Sequence, residues 1–131
     1  MDDELTKKII GAAYKVHNTL GFGFLETVYE RSLTIELNRL DVAHAAQAPI
    51  QVRYEGEIVG NFIADMLIEN QLIIEIKSVV QLNVAHEVQL VNYLAATGIE
   101  IGLLINFGPD KVEVRRKFRT YKKGKRQDEQ D

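Results

Sequence analysis

The stretch Leu72–Val80, LIIEIKSVV, constrains the chain more than any other. It has no polar face, which is the pattern of a strand covered on both sides. Yet Glu75 and Lys77 lie in its middle. A buried charge is costly unless it is paired or binds a metal. Any fold this chain adopts must therefore bring partners to that strand. Ile101–Ile105 is a second nearly continuous apolar run and reads as a central strand beside it.

The remaining periodicities fill in the frame. Leu5, Ile9, Ala12, Val16 and Leu20 follow helical spacing from Asp3 to about Leu20. Glycines in GFG at 21–23 end that helix. A second helix spans about Leu25–Leu40, and DVAHAAQAP reads as a loop or the lead-in to a strand. Strands follow at Ile50–Tyr54 and Ile58–Ile68 around a turn at Glu55–Gly56. ENQ at 69–71 turns into a third strand, Leu72–Val79. Asn83–Ala96 is a helix closed by Thr97–Gly98, with Val84, Val88, Val91 and Ala95 as its core face. Glu100–Asn106 and Val112–Phe118 are the last strands. The order α-α-β-β-β-α-β-β predicts an α/β sandwich with a mixed sheet flanked by helices. One domain over residues 1–120 and a charged, disordered tail over 121–131 are expected.

Composition excludes some chemistry. The 131 residues include no cysteine, which removes disulfides, thiolate zinc sites, cysteine nucleophiles and Fe–S clusters. The opening MDDELTKKII is acidic and then amphipathic, unlike a secretory leader. No apolar run approaches the ~18 residues that span a bilayer. A cytoplasmic protein without membrane contact is the expectation. The net charge of −3 is uneven: residues 1–110 balance to −8, residues 111–126 to +8, and the last five to −3. The basic segment is either a surface for phosphates or a solvated tail folding back on an acidic body.

Glu75 and Lys77, two residues apart on a strand, share a face, with Ile74 and Ile76 on the other. Asp65 lies in the preceding strand inside FIADMLIE. Residues 65 and 75 are equidistant from Asn70, so the hairpin sets them nearly opposite each other. Two facing carboxylates repel, and a divalent cation between them relieves that repulsion; oxygen ligands suit Mg2+ or Mn2+. Lys77 stands at the rim. The main-chain carbonyl of Ile76 is a further candidate ligand. Glu26 opens the second helix at the end of the stripe Tyr29, Leu33, Leu37 and Leu40. It reads as an inward-facing acid, or simply as a first-turn acid favoured by the helix dipole. On the third helix His86, Gln89 and Tyr93 share a face, near a site or as a surface pair. His17 near the glycine turn either lines the site or is structural, and His44 is a loop residue.

Asp65 followed by Glu75-Ile76-Lys77 across a hairpin resembles the PD-(D/E)XK nuclease superfamily, with Ala64 where the motif's label has proline. GFLETVY, with Gly23, Glu26 and Tyr29, resembles the signature of the small GxxExxY family. VHNTLGFGFLETVYERSL, ADMLIENQLIIEIKSV and HEVQLVNYLAATGIEIGLLINFG extend the likeness over about residues 5–118. The resemblance implies a restriction-endonuclease-like αβββαβ core with one extra N-terminal helix. It implies Asp65 and Glu75 as metal ligands, Lys77 as the group that orients or activates water, and Glu26 as a helix acid near the metal that binds or positions a second metal or water. Gln89 and Tyr93 resemble the Gln-x-x-x-Tyr motif of the RecB-like branch, whose cysteine-bound cluster has no counterpart here. The expected activity is Mg2+- or Mn2+-dependent hydrolysis of nucleic acid, DNA ahead of RNA. The competing expectation is a catalytically silent fold that binds nucleic acid or a partner protein. A homo-oligomer is left open, as is a structural role in which Glu75 and Lys77 merely pair.

Overall fold

The structure is a computed structural model and describes residues 3–119; the expected tail at 121–131 lies outside the described residues. Helices α1 (Asp3–Leu20) and α2 (Glu26–Arg39) precede three strands, β1 (His44–Tyr54), β2 (Glu57–Ile68) and β3 (Leu72–Lys77). Helix α3 (Val84–Thr97) then crosses to β4 (Ile101–Phe107), and β5 (Val112–Phe118) closes the order. The sheet runs β1-β2-β3-β4-β5. β3 and β4 are parallel and the other neighbours antiparallel. This mixed sheet with helices on both faces is the α/β arrangement that the element order predicts, and it agrees with the restriction-endonuclease-like core that the resemblance implies. No helix among the described residues is long and apolar enough to cross a membrane.

Two hairpin turns set the register around the site. Glu55 and Gly56 both have positive φ, as do Glu69 and Asn70, so each hairpin turns through a left-handed pair that matches strand twist. β1 starts at His44, six residues before the expected strand, because the ladder with β2 runs on to His44↔Ile68. Alanines carry little strand signal of their own, and backbone pairing with a long neighbour decides the matter. His44 is therefore a strand residue rather than a loop residue. β3 stops at Lys77, two residues short of expectation, because Asn106 takes over the pairing beyond it. Its side chain accepts the Val79 N–H at 2.9 Å and donates to the Val79 carbonyl at 2.9 Å.

The core has two layers. Leu5, Ile9, Val16, Tyr29, Leu33 and Leu37 of α1 and α2 cover Met66, Ile74, Ile76, Leu103, Ile105 and Phe107. On the opposite face Leu90, Tyr93 and Leu94 of α3 cover Ile50, Ala64, Ile73 and Leu104. A Cβ on Gly102 would lie 2.7 Å from a Leu90 methyl, so glycine is what lets α3 approach β4 this closely. The expected core face of α3 is corrected here. Val84 and Val88 are exposed, Val91 is half-buried and Ala95 is exposed. The helix is apolar on two sides, and the larger Leu and Tyr side chains win the sheet because they bury more area.

The basic segment folds back on the acidic body as far as it is described. Arg115 and Lys117 of β5 pair with Glu87 of α3 at 2.8 and 2.9 Å, Arg115 also meets Glu113 at 3.0 Å, and Arg119 pairs with Glu100.

Candidate functional site

The ladder between β2 and β3 is short: Ile68↔Leu72, Leu67↔Ile73 and Met66↔Ile74. The next step would pair Asp65 with Glu75, and there side chains replace backbone. The Asp65 N–H donates to Glu75 Oε2 at 2.8 Å, and the Ile76 N–H donates to Asp65 Oδ2 at 2.7 Å. Each carboxylate thus spends one oxygen on a strand N–H, which fixes its direction and leaves its second oxygen available among the described residues. The hairpin count from Asn70 holds for the paired residues and brings these two acids together.

Their electrostatics follow from this placement. Burial pushes the Glu75 carboxyl up to about 7, and the charge of Asp65 pushes the same way; the Asp65 N–H and Lys77 oppose, and Glu26 adds a smaller upward push. Burial also raises Asp65, against the Ile76 N–H and the Lys77 charge. Lys77 is half-buried and acts on both carboxylates, with no ion pair to Glu75 among the described residues. A simple Glu75–Lys77 pair does not explain the arrangement.

Helix α2 supplies two more acids. Glu26 stands in its first turn and is exposed rather than turned inward, because the buried stripe begins at Tyr29. Glu30, one turn on, is raised by burial and by Asp65, while a hydrogen bond from Gln47 Nε2 at 3.0 Å holds it down. Gln47 has φ 55 and, counting along the β1–β2 register, stands across from Asp65. A left-handed glutamine inside a strand is strained backbone. It turns a β1 side chain toward α2 at the level of the site. Among the described residues, no three His, Asp or Glu side chains lie close enough to hold a metal ion together. Asp65 and Glu75 are the assembled pair, with Glu26 and Glu30 acting on them at longer range.

The loop before α2 is fastened from two sides. Tyr29 donates to the Gly21 carbonyl at 2.5 Å and accepts from the Phe24 N–H at 3.3 Å. Ser78, just past Lys77, donates to the Phe24 carbonyl at 3.0 Å. Gly23 at φ 120 makes the bend with a backbone that only glycine adopts cheaply. These bonds explain the Gly23, Glu26 and Tyr29 spacing: glycine bends, tyrosine locks, and the glutamate between them stands where its charge reaches Glu75.

Other expected residues are placed as follows. Tyr93 is buried, and its hydroxyl is raised by burial, then by the charges of Glu75 and Asp65. Gln89 is exposed on α3. His86 caps α3: Asn83 Oδ1 accepts its N–H, and its Nδ1 accepts the Asn83 N–H, both at 3.3 Å. His17 is buried, stacks on Phe107, and bonds the Gly108 carbonyl through Nε2 at 2.7 Å. Glu30, Gln47 and Asn106 were not singled out by sequence. Asn106 was visible as a lone amide in the run IGLLINF, and Glu30 as the acid one turn after Glu26. Gln47 had no signal.

A family model for the PD-(D/E)XK nuclease superfamily matches residues 3–117, and the chain belongs to that superfamily. No curated protein matches it. Among solved structures it is similar to the crystal structure of SSO0001, with a TM-score of 0.57 and 18% sequence identity. That likeness covers 75% of this chain and 52% of the other, so the chain spans about half the length of that neighbour. At this identity the likeness speaks for the fold.

Proposed function

We propose that this PD-(D/E)XK superfamily member is a divalent-metal-dependent nuclease that hydrolyses phosphodiester bonds, with DNA ahead of RNA as substrate. One observation carries the reading: β2 and β3 stop pairing at the step where Asp65 and Glu75 meet. Two acids face to face, Glu75 buried and Asp65 half-buried, are unfavourable unless a cation joins them. The donor set fits a hard cation, since one oxygen on each carboxylate is left for it and every candidate ligand is oxygen. Mg2+ or Mn2+ would be held by Asp65 and Glu75, with the Ile76 carbonyl as a further ligand and Glu26 and Glu30 adding negative field. The cation, when bound, supplies Lewis acidity toward the phosphate and makes water a stronger acid at neutral pH.

The chain's own residues do the rest. Lys77, on the same strand face as Glu75, orients the attacking water and offsets negative charge at phosphorus. Backbone N–H groups of Asp65 and Ile76 hold the carboxylates in place before substrate arrives, so little reorganisation is needed. Tyr93 stands on α3 where the charges of both acids reach its hydroxyl. The Gly23, Glu26 and Tyr29 pattern supports placement in the GxxExxY group within the superfamily. Residues 1–120 act as one nuclease domain in this reading.

Calorimetric titration of Mn2+ into the wild-type protein and Asp65→Ala, followed by cleavage of labelled single- and double-stranded DNA, tests the proposal. Binding and cleavage that are both lost in the variant are expected. Absence of Mn2+ binding to the wild-type protein would sink it and favour the catalytically silent fold.

A further inference from the structure

A groove of about 1180 Å³ lies between α3 and the β1–β2 hairpin. Its wall includes Arg53, Phe62, Val88, Gln89, Asn92 and Tyr93. Tyr93 links the two places, since it lines the groove and packs in the same layer as Ala64, the residue before Asp65, and Ile73, two residues before Glu75. We propose that this groove seats unpaired bases of a single-stranded nucleic acid whose backbone continues to the carboxylate site. The inference rests on the nuclease reading and adds the substrate class.

Three features point to bases. The first is an aromatic wall: the Phe62 and Tyr93 rings are 5.9 Å apart at 42°, and Phe62 is 45% exposed. Val84 and Val88 face it at 72% and 51% exposure. Unpaired bases present apolar faces that stack on such a surface, whereas a duplex keeps its base faces hidden. The second is the amides of Gln51, Gln89 and Asn92, which offer donors and acceptors to base edges without charge.

The third is charge. Among the described residues none that lines the groove is acidic and Arg53 is cationic, although residues 1–110 hold 15 Asp and Glu against 7 Lys and Arg. Arg53 is braced toward Gly56 and Gln51 at 3.2 Å each. A groove whose described lining carries no acid and one arginine suits a polyanion. Duplex grip, in contrast, draws on a broad basic surface. Arg115, Lys117 and Arg119 of the basic segment are spent on Glu87, Glu113 and Glu100. The volume exceeds the upper end of small-molecule pockets, about 1,000 Å³, so more than one base has room.

Fluorescence anisotropy with a labelled oligothymidylate of about 15 nucleotides, against a duplex of the same length, tests this. Measurements in EDTA make the result independent of metal. The single strand is expected to bind at least about tenfold tighter than the duplex. Phe62→Ser and Val88→Glu, both at exposed positions, should each weaken single-strand binding about tenfold, the size expected for one lost stacking contact. Because the metal is chelated, a failure of Mn2+ binding or cleavage leaves this result standing, which separates this test from that of the metal pair. Equal affinity for duplex, or unchanged binding in both groove variants, would overturn the proposal. So would Val88→Glu splitting a dimer in sedimentation while oligonucleotide affinity stays the same, which would make the groove a contact between two copies.

Discussion

Asp65 and Glu75 are joined through each other's backbone: the Asp65 N–H is held by Glu75 Oε2, and the Asp65 carboxylate holds the N–H of Ile76, the residue after Glu75. The two carboxylates replace a rung of the sheet, so structure and charge separate cleanly on substitution. Asp65→Asn keeps an oxygen for the Ile76 N–H and removes the charge. Mn2+ affinity should fall more than about 100-fold, beyond the usual loss from an outer partner, with the melting temperature held or raised. Asp65→Ala also leaves the Ile76 N–H unpaired and should cost about 1–3 kcal/mol. Calorimetry and thermal melts in EDTA read the two effects apart. Equal destabilisation in both variants would show that charge, not the rung, is what matters.

Metal-free protein should lose stability as pH rises. Glu75 titrates near 7 in the folded chain against an ordinary 4.5, and Asp65 is raised too. Between those values the folded state binds more protons than the unfolded one, so unfolding free energy falls with increasing pH. The Glu75 contribution, from 4.5 to about 7, amounts to about 3 kcal/mol at most. Urea melts in EDTA at pH 5 and 8 should show the drop, and Glu75→Gln should flatten it. Mn2+ competes with the same protons, so its affinity should climb up to about tenfold per pH unit below 7. A stability profile that rises from pH 5 to 8 in EDTA would contradict the buried-acid assignment.

Much of this was legible from local pattern. Strand and helix periodicity placed all eight elements, and symmetry about Asn70 brought Asp65 to Glu75. What escaped was long-range. The lead-in to β1 is alanine-rich, and only its pairing with β2 makes it a strand. α3 carries apolar residues on two sides, so spacing alone could not choose between Val88 and Leu90 for the core. Glu26 sits at the end of a buried stripe, and a stripe does not reveal where burial stops. Gln47 meets Glu30 only because its own backbone turns left-handed, which nothing in AHAAQAP announces. Of the two histidines on helices, His17 takes the structural one of its two readings, with Nε2 on the Gly108 carbonyl, and His86 has Nδ1 in the cap of α3.

Lys77 should separate binding from turnover. Lys77→Met removes the cation while keeping a stem of similar length. Because Lys77 pulls both carboxyl groups downward, its loss should move the pH dependence of Mn2+ binding to higher pH with little effect at pH 8.5. Cleavage should fall about 100-fold or more, the scale of a lost transition-state donor. Single-turnover assays at saturating Mn2+ measure this. Wild-type cleavage in Lys77→Met would remove the lysine from the mechanism.

Tyr29 should act on the site only through the loop it locks. Tyr29→Phe keeps the ring stacked on Phe107 at 4.5 Å but frees the Gly21 carbonyl and the Phe24 N–H. The stability cost should be about 1 kcal/mol. Amide exchange at Phe24 should accelerate while that of Leu33 stays slow, and Mn2+ affinity should drop less than in Asp65→Asn. Unchanged exchange at Phe24 would mean that the Ser78 bond alone holds the loop.

Asn106 offers a test of how β3 is terminated. It is fully buried, and its amide satisfies both backbone groups of Val79. Asn106→Leu orphans both and should cost about 2–5 kcal/mol. Asn106→Asp is the sharper variant. Ionised, it still accepts the Val79 N–H but faces the Val79 carbonyl with another acceptor. Protonated, it regains a donor. Its destabilisation relative to wild type should therefore be small near pH 4 and larger at pH 8, beyond the drop that Glu75 gives both proteins. Parallel urea melts of the two proteins isolate that difference. A pH-independent offset would mean that Val79 does not need its donor, and that Lys77 is held at the end of β3 by strand pairing with β4 alone.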